Sequence, residues 1–247
     1  MTGKVYLIGA GPGDPELLTV KAVRILGEID VLLYDRLAGE QVLSLVNPQA
    51  ERIYVGKHEG EQEATQQMIF DLMVEHARAG CSVARLKGGD PCVFGRAAEE
   101  WQVLAAHGIA VEIVPGISSA IAAAELAGVP LTARGVSHGF AVVTGHGAGE
   151  GALSWHKYAG VDTLVVLMGV KQRAEIALEL IRAGRRMDEP VMFVERATTA
   201  REKIIVATLG AVAAGTVVVS SPAVFVIGAV VNLRKTLQLS AEMMVPS

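Results

Sequence analysis

The chain has 247 residues, 51% of them apolar but only 4% aromatic, and a formal net charge of −4. That length admits one large domain or two small ones, each with its own core, and the charge leaves no electrostatic footprint for nucleic acid. The two cysteines, Cys81 and Cys92, fit neither a disulfide framework nor a zinc site, and the scattered histidines suggest no metal.

Along the chain, β-branched runs alternate with helical patterns. Residues 5–9 read as a strand, and 15–26 as one helix with Asp14 as N-cap and Pro15 at its first position. Strands follow at 31–34 and 53–55. A helix over 65–79 carries the apolar residues Met68, Ile69, Leu72 and Met73 and stops at Gly80. A strand at 82–86, a helix at 96–107 ended by Gly108, and a strand at 110–114 complete a βα alternation. Such an alternation predicts a mostly parallel sheet.

Pro115-Gly116 marks a change. A small-residue helix at 118–127 is followed by strands at 140–144, 163–167, 191–194, 203–208 and 223–230, with a helix at 171–183. Fewer helices per strand predict a mixed sheet. The expected architecture is two closely packed α/β domains, 1–114 and 115–247. The apolar stretch 216–233 is interrupted by Ser220, Ser221 and Pro222, so it reads as turn and strand rather than a membrane span. With no signal-peptide pattern at the N-terminus, a cytoplasmic protein is expected.

Three glycine-bearing loops follow strands. Gly9-Ala-Gly-Pro-Gly-Asp14 invites comparison with a dinucleotide fingerprint, and Asp35 ends the second strand where an acid would meet a ribose. The third glycine comes one residue early, however. Pro12 removes an amide that would cradle a pyrophosphate, and Asp14 adds negative charge there. The loop suits a close backbone approach to a ligand without phosphate. In the second loop, residues 87–96, Gly88 and Gly89 expose backbone and Asp90 can accept hydrogen bonds. Arg96 offers a bidentate fork for a carboxylate. The third loop, residues 114–120, brings Ser118 and Ser119 to a helix start, as ligand groups or as N-caps. No nucleophile elbow or P-loop is present.

Together these motifs resemble the tetrapyrrole methylase family. The resemblance rests on Gly9-Ala-Gly-Pro-Gly-Asp-Pro15, Tyr34-Asp-Arg-Leu37, Val55-Gly-Lys57, Arg85-Leu-Lys-Gly-Gly-Asp-Pro91, Phe94-Gly-Arg96, Val114-Pro-Gly116, Pro130-Leu-Thr132 with Arg134, Thr144-Gly-His146 and Leu167-Met-Gly169. Tyr-Asp-Arg-Leu, Val-Gly-Lys and Arg-Leu-Lys-Gly-Gly-Asp-Pro point to its uroporphyrinogen branch. The resemblance implies a homodimer with its active site in an interdomain cleft, and S-adenosylmethionine as cofactor. It implies methylation of uroporphyrinogen III at C2 and C7 to give precorrin-2, towards sirohaem or cobalamin.

By position, the resemblance places Pro12, Gly88, Gly89, Asp90, Val93, Ser118, Ser119, Met168 and Ala197 at the cofactor. It makes Asp35 the proton acceptor and Lys57 the proton donor. Read as bare residues, Asp35 also suits a strand-end turn, and Lys57 a surface lysine or a partner for a substrate carboxylate. Arg96 and Arg134 are expected to bind carboxylates of the tetrapyrrole. Departures from the family pattern stand at His58, Cys92, Ala97, Ala98 and Ala197. Two other readings are a sibling methylase acting on a later corrin precursor and a non-catalytic ligand sensor of the same fold.

Overall fold

The computed structural model describes residues 2–36, 39–56, 66–146 and 154–242, with side chains to residue 237. The chain divides into two compact units, Met1–Ser118 and Ser119–Ser247.

In the first unit, β1 (Lys4–Gly9), β2 (Val31–Tyr34), β3 (Glu51–Tyr54), β4 (Val83–Lys87) and β5 (Ala110–Val114) form one sheet of order β3-β2-β4-β1-β5. All its pairings are parallel. Each return passes through a helix: α1 (Val20–Leu26), α2 (Glu40–Leu43), α3 (Gln66–Arg78) and α4 (Ala97–Ala106). Alternate strand side chains face opposite ways. Ile8, Leu32, Ala84 and Leu86 pack with Ala22, Ile25 and Leu26 of α1. Leu7, Val31, Leu33 and Val83 pack with Met73 and Ala77 of α3 and Leu104 of α4. Neighbouring strands β1 and β4 therefore lead to helices on opposite faces. That divergence, at the carboxyl ends of the strands, is where open α/β sheets take ligands.

The segment expected as one helix over 15–26 is two elements. Asp14 caps a 3-10 turn, Pro15–Leu17, its Oδ1 accepting from the Glu16 N–H at 2.9 Å. Leu18 is extended, and Thr19 then caps α1, its hydroxyl oxygen accepting from the Ala22 N–H at 3.1 Å. The second cap offers the backbone a local bond that competes with a continuous helix.

On edge strand β5, Glu112 pairs with both Lys21 and Lys4, which together hold its carboxyl down at about 2 from the usual 4.5. A carboxyl lowered on folding favours the fold above its unfolded value and loses that contribution as pH falls through its folded value. The difference in urea midpoint between wild type and Glu112→Gln should therefore be largest near neutrality. It should close as pH falls from 4.5 towards 2. Solvent exposure keeps the difference small.

The second unit carries β6 (Phe140–Thr144), β7 (Thr163–Leu167), β8 (Pro190–Glu195), β9 (Lys203–Thr208) and β10 (Ala223–Ile227), in the order β6-β7-β10-β8-β9. The pair β6–β7 is parallel and the others antiparallel, so the sheet is mixed. One face packs α6 (Arg173–Arg182) and α7 (Leu209–Ala213) against Leu164, Val166, Val191, Phe193 and Phe225. The two phenylalanine rings stack at 4.2 Å. On the other face, Ala120, Ala123 and Ala124 of α5 (Ser119–Leu126) lie with Val165, Val194 and Val226. The last strand stops at Ile227 rather than at residue 230. Gly228, at φ 145°, leads out of it into a 3-10 turn, Ala229–Asn232, and then α8 (Leu233–Glu242). Among the described residues, no helix is long and apolar enough to cross a membrane.

Candidate active site

The three glycine loops of the first unit meet backbone to backbone. Gly11 and Gly89 exchange N–H···O bonds, at 3.2 Å from Gly11 and 2.7 Å from Gly89. A Cβ on Gly9 would lie 2.6 Å from Gly116 and from the Gly89 carbonyl, and one on Gly116 would lie 2.4 Å from that carbonyl. At Gly9 and Gly116, then, the absence of a side chain serves the junction of the loops. The sequence suggested that the Gly9 loop closely approaches a ligand; at Gly9, as at Gly116, the close neighbour is protein. Asp90 ties the same junction. Its Oδ1 accepts from the Cys92 N–H at 2.8 Å, and its Oδ2 from the Gly116 N–H at 3.1 Å. Pro12 and Gly88 are half-buried beside it, and Ser118 is buried just before Ser119 opens α5.

The outer part of the second loop is open to solvent. Val93 is exposed, and Phe94 and Arg96 hold left-handed backbone, at φ 54° and 60°. Each costs of order 1 kcal/mol or more in a non-glycine residue, and such strain clusters where ligands bind. The fork of Arg96 is closed on Glu99 of its own helix. Nε donates to Oε1 at 2.9 Å, and Nη2 donates to Oε2. A substrate carboxylate at Arg96 has to take the place of Glu99.

Asp35 lies just past β2, one strand over. Its half-buried carboxylate accepts from Arg85 Nη2 at 3.2 Å. Arg85 is itself buried in β4, with Nη1 donating to the Leu86 carbonyl at 2.8 Å and Nε 3.5 Å from Glu100 Oε1. That same Oε1 accepts from Lys87 Nζ at 2.7 Å. Asp35, Arg85, Lys87 and Glu100 are thus one cluster of two anions and two cations, and Glu100 has no exposed surface at all. Burial, and then the Arg85 charge, push the Lys87 ammonium below its ordinary value, against the pull of Glu100 and Asp35. Val31, Leu33 and Asp35 continue one row of a face, and Val83, Arg85 and Lys87 the adjacent row, with Leu33 beside Arg85 in register. The face is apolar where the strands begin and charged where they end.

In the second unit, Met168 follows β7 in left-handed backbone, φ 56°, with its side chain exposed. Its carbonyl lies 3.0 Å from His146 Nδ1. Gly145 and Gly169 press together there, since a Cβ on Gly145 would fall 2.3 Å from the Gly169 Cα. Ala197 follows β8 between Arg196 and Thr198, which both have positive φ. Arg134 is exposed in a turn closed by the Ala133–Ser137 bridge. Lys57 and His58 lie outside the described residues.

The sequence pattern of the Tetrapyrrole (Corrin/Porphyrin) Methylases matches residues 4–213. The chain belongs to the tetrapyrrole methylase family. Among similar curated proteins, a uroporphyrinogen-III C-methyltransferase of Pseudomonas aeruginosa is 46% identical over 98% of this chain and 100% of its own length. An S-adenosyl-L-methionine-dependent uroporphyrinogen III methyltransferase of Methanosarcina barkeri is 45% identical over 95% of this chain and 94% of its own. A crystal structure of uroporphyrin-III C-methyl transferase from Thermus thermophilus, complexed with S-adenyl homocysteine, superposes with a TM-score of 0.84 at 52% identity. It covers 94% of this chain and all of that one. The chain spans about half the length of the relatives named siroheme synthase.

In this tetrapyrrole methylase, the sequence pointed to Asp35 and Asp90 but assigned no role to Arg85, Lys87 or Glu100. A signal was present. Strands inside a parallel sheet are covered on both faces and normally read as continuous apolar runs. Two cations spaced i, i+2 within Val83–Lys87 break that rule on one face only. Buried cations need a buried anion, and Glu100 of the following helix supplies it.

Proposed function

We propose that the protein is an S-adenosylmethionine-dependent methyltransferase that methylates uroporphyrinogen III at C2 and C7, giving precorrin-2. One observation carries this reading. At the diverging ends of β1 and β4, a backbone junction tied by Asp90 stands near a carboxylate, Asp35, held by a buried arginine. The junction suits a cofactor with amino and hydroxyl groups and no phosphate. Its cations are committed elsewhere, Lys87 to Glu100 and Arg96 to Glu99.

Pro12, Gly88, Gly89, Asp90, Val93, Ser118, Ser119, Met168 and Ala197 hold the cofactor. When bound, it supplies a methyl group on a positively charged sulfur, open to in-line displacement by an electron-rich pyrrole carbon. The protein's part is positioning and proton transfer. Asp35 accepts the proton that the methylated macrocycle gives up, and Lys57 donates one. Arg96, exchanging Glu99 for substrate, and the exposed Arg134 bind propionate or acetate side chains of the ring.

Anaerobic incubation with uroporphyrinogen III and methyl-labelled S-adenosylmethionine tests this. Two labels per product are expected. Absence of label from uroporphyrinogen III, with transfer to a later corrin precursor, reassigns the substrate.

The same reading makes the protein a cytoplasmic homodimer. The exposed apolar side chains Ile121, Leu126, Phe140 and Leu237 support self-association. Light scattering should return twice the chain mass of 25.9 kDa, and Phe140→Asp should shift the mass towards one chain. Fractionation of the source cells tests the compartment.

A further inference from the structure

A fully buried glutamate in contact with two buried cations is costly to assemble, and replacing such a cluster by apolar side chains is often neutral or stabilising. Its presence at the carboxyl ends of the strands, where the apolar rows of the sheet turn charged, calls for a role other than stability. The contacts run in one direction. Lys87 Nζ and Arg85 Nε both face Glu100 Oε1, at 2.7 and 3.5 Å, and Gln66 Nε2 reaches the same oxygen at 3.5 Å. Arg85 then spends its outer nitrogen on Asp35, at 3.2 Å.

Glu100 Oε2 and Arg85 Nε have no hydrogen-bond partner among the described residues, although both are buried. The arginine is therefore placed against Glu100 by charge, while its directed bonds go to the Leu86 carbonyl and to Asp35. With Glu100 neutral, Arg85 and Lys87 would be left with Asp35 as the one anion of the buried cluster, and both would be drawn to it. Arg85 would then have to move, and Asp35 with it.

We infer that Glu100 is a positioning residue for Asp35, acting through Arg85: it holds the guanidinium that orients the carboxylate towards the reacting substrate. The inference rests on the reading of Asp35 as proton acceptor.

A double-mutant cycle with the full chain tests it. Glu100→Gln should lower kcat by about tenfold or more in the wild-type background, with KM for both substrates within about twofold. In the Asp35→Asn background the same change should cost less than about twofold, because the group it positions is already disabled. Arg85→Lys keeps the charge but loses the fork, and should repeat the pattern if Glu100→Gln does not fold. Glu100→Asp should recover part of the loss. Equal losses in both backgrounds would mean that Glu100 is merely structural, and would overturn the inference.

A second arm needs no substrate. The Arg85 Nε–H signal in a 15N spectrum, assigned by its absence in Arg85→Lys, should exchange with water about tenfold faster in Glu100→Gln. Unchanged exchange overturns the inference as well. If the wild-type protein transfers no methyl group to uroporphyrinogen III, the proposed function fails on its own. The exchange measurement then decides whether Glu100 positions Arg85.

Discussion

Asp35→Asn should lower kcat by roughly 10²- to 10⁴-fold, the range general bases commonly contribute, while affinity for S-adenosylhomocysteine stays within about twofold. The substitution is nearly isosteric. The amide oxygen of Asn still accepts from Arg85, so the 3.2 Å contact and the fold around it survive. What disappears is the ability to take a proton. Single-turnover methyl transfer and calorimetric titration with S-adenosylhomocysteine separate the two quantities. A parallel loss of cofactor binding would move Asp35 from proton transfer to the cofactor wall or to loop structure.

The second large effect is on stability. Gly116→Ala should cost about 3 kcal/mol, at the upper end of the range for overpacking, read as a fall in the denaturant midpoint at constant slope. The added methyl would sit 2.4 Å from the Gly89 carbonyl and 2.8 Å from Gly9. Both neighbours are backbone, and neither can rotate away. Gly108→Ala is the control. Gly108 has φ +68° but nothing within 4 Å of its Cβ position, so it should lose only the conformational cost of about 1 kcal/mol. Similar losses at both sites would mean that the loops yield and the junction is not tightly packed. Because Asp90 hangs from the Gly116 N–H, Gly116→Ala should also weaken cofactor binding.

Most strands were legible as short apolar runs bounded by glycine, proline or a charged turn, and the alternation with helices implied parallel pairing in the first sheet. The break at Leu18 was not, since Thr19 reads equally well as a helix residue until its hydroxyl is seen accepting from Ala22. The short α2 and α7, of four and five residues, are too brief for a periodic signal. In the site, Asp35 and Asp90 stood out as acids at strand ends. Glu100 did not, because Glu99-Glu100 looks like a solvated helix face, and only the turn of α4 puts one residue in water and the other against β4. The purpose of Gly9 and Gly116 was equally hidden. Their neighbours are more than 70 residues away in the chain from one another in the case of Gly89 and Gly9, beyond the reach of any local pattern.

A floor made of main chain has no rotamers. Where Gly9, Gly89 and Gly116 touch, the surface has one available shape, set when the first unit folds rather than when a ligand arrives. On the proposed placement of the cofactor against this junction, adaptation to a bulkier or differently charged cofactor falls to Cys92, Val93 and Phe94, whose side chains are exposed and replaceable. Redesign of the proposed cofactor site should begin there and leave the glycines alone.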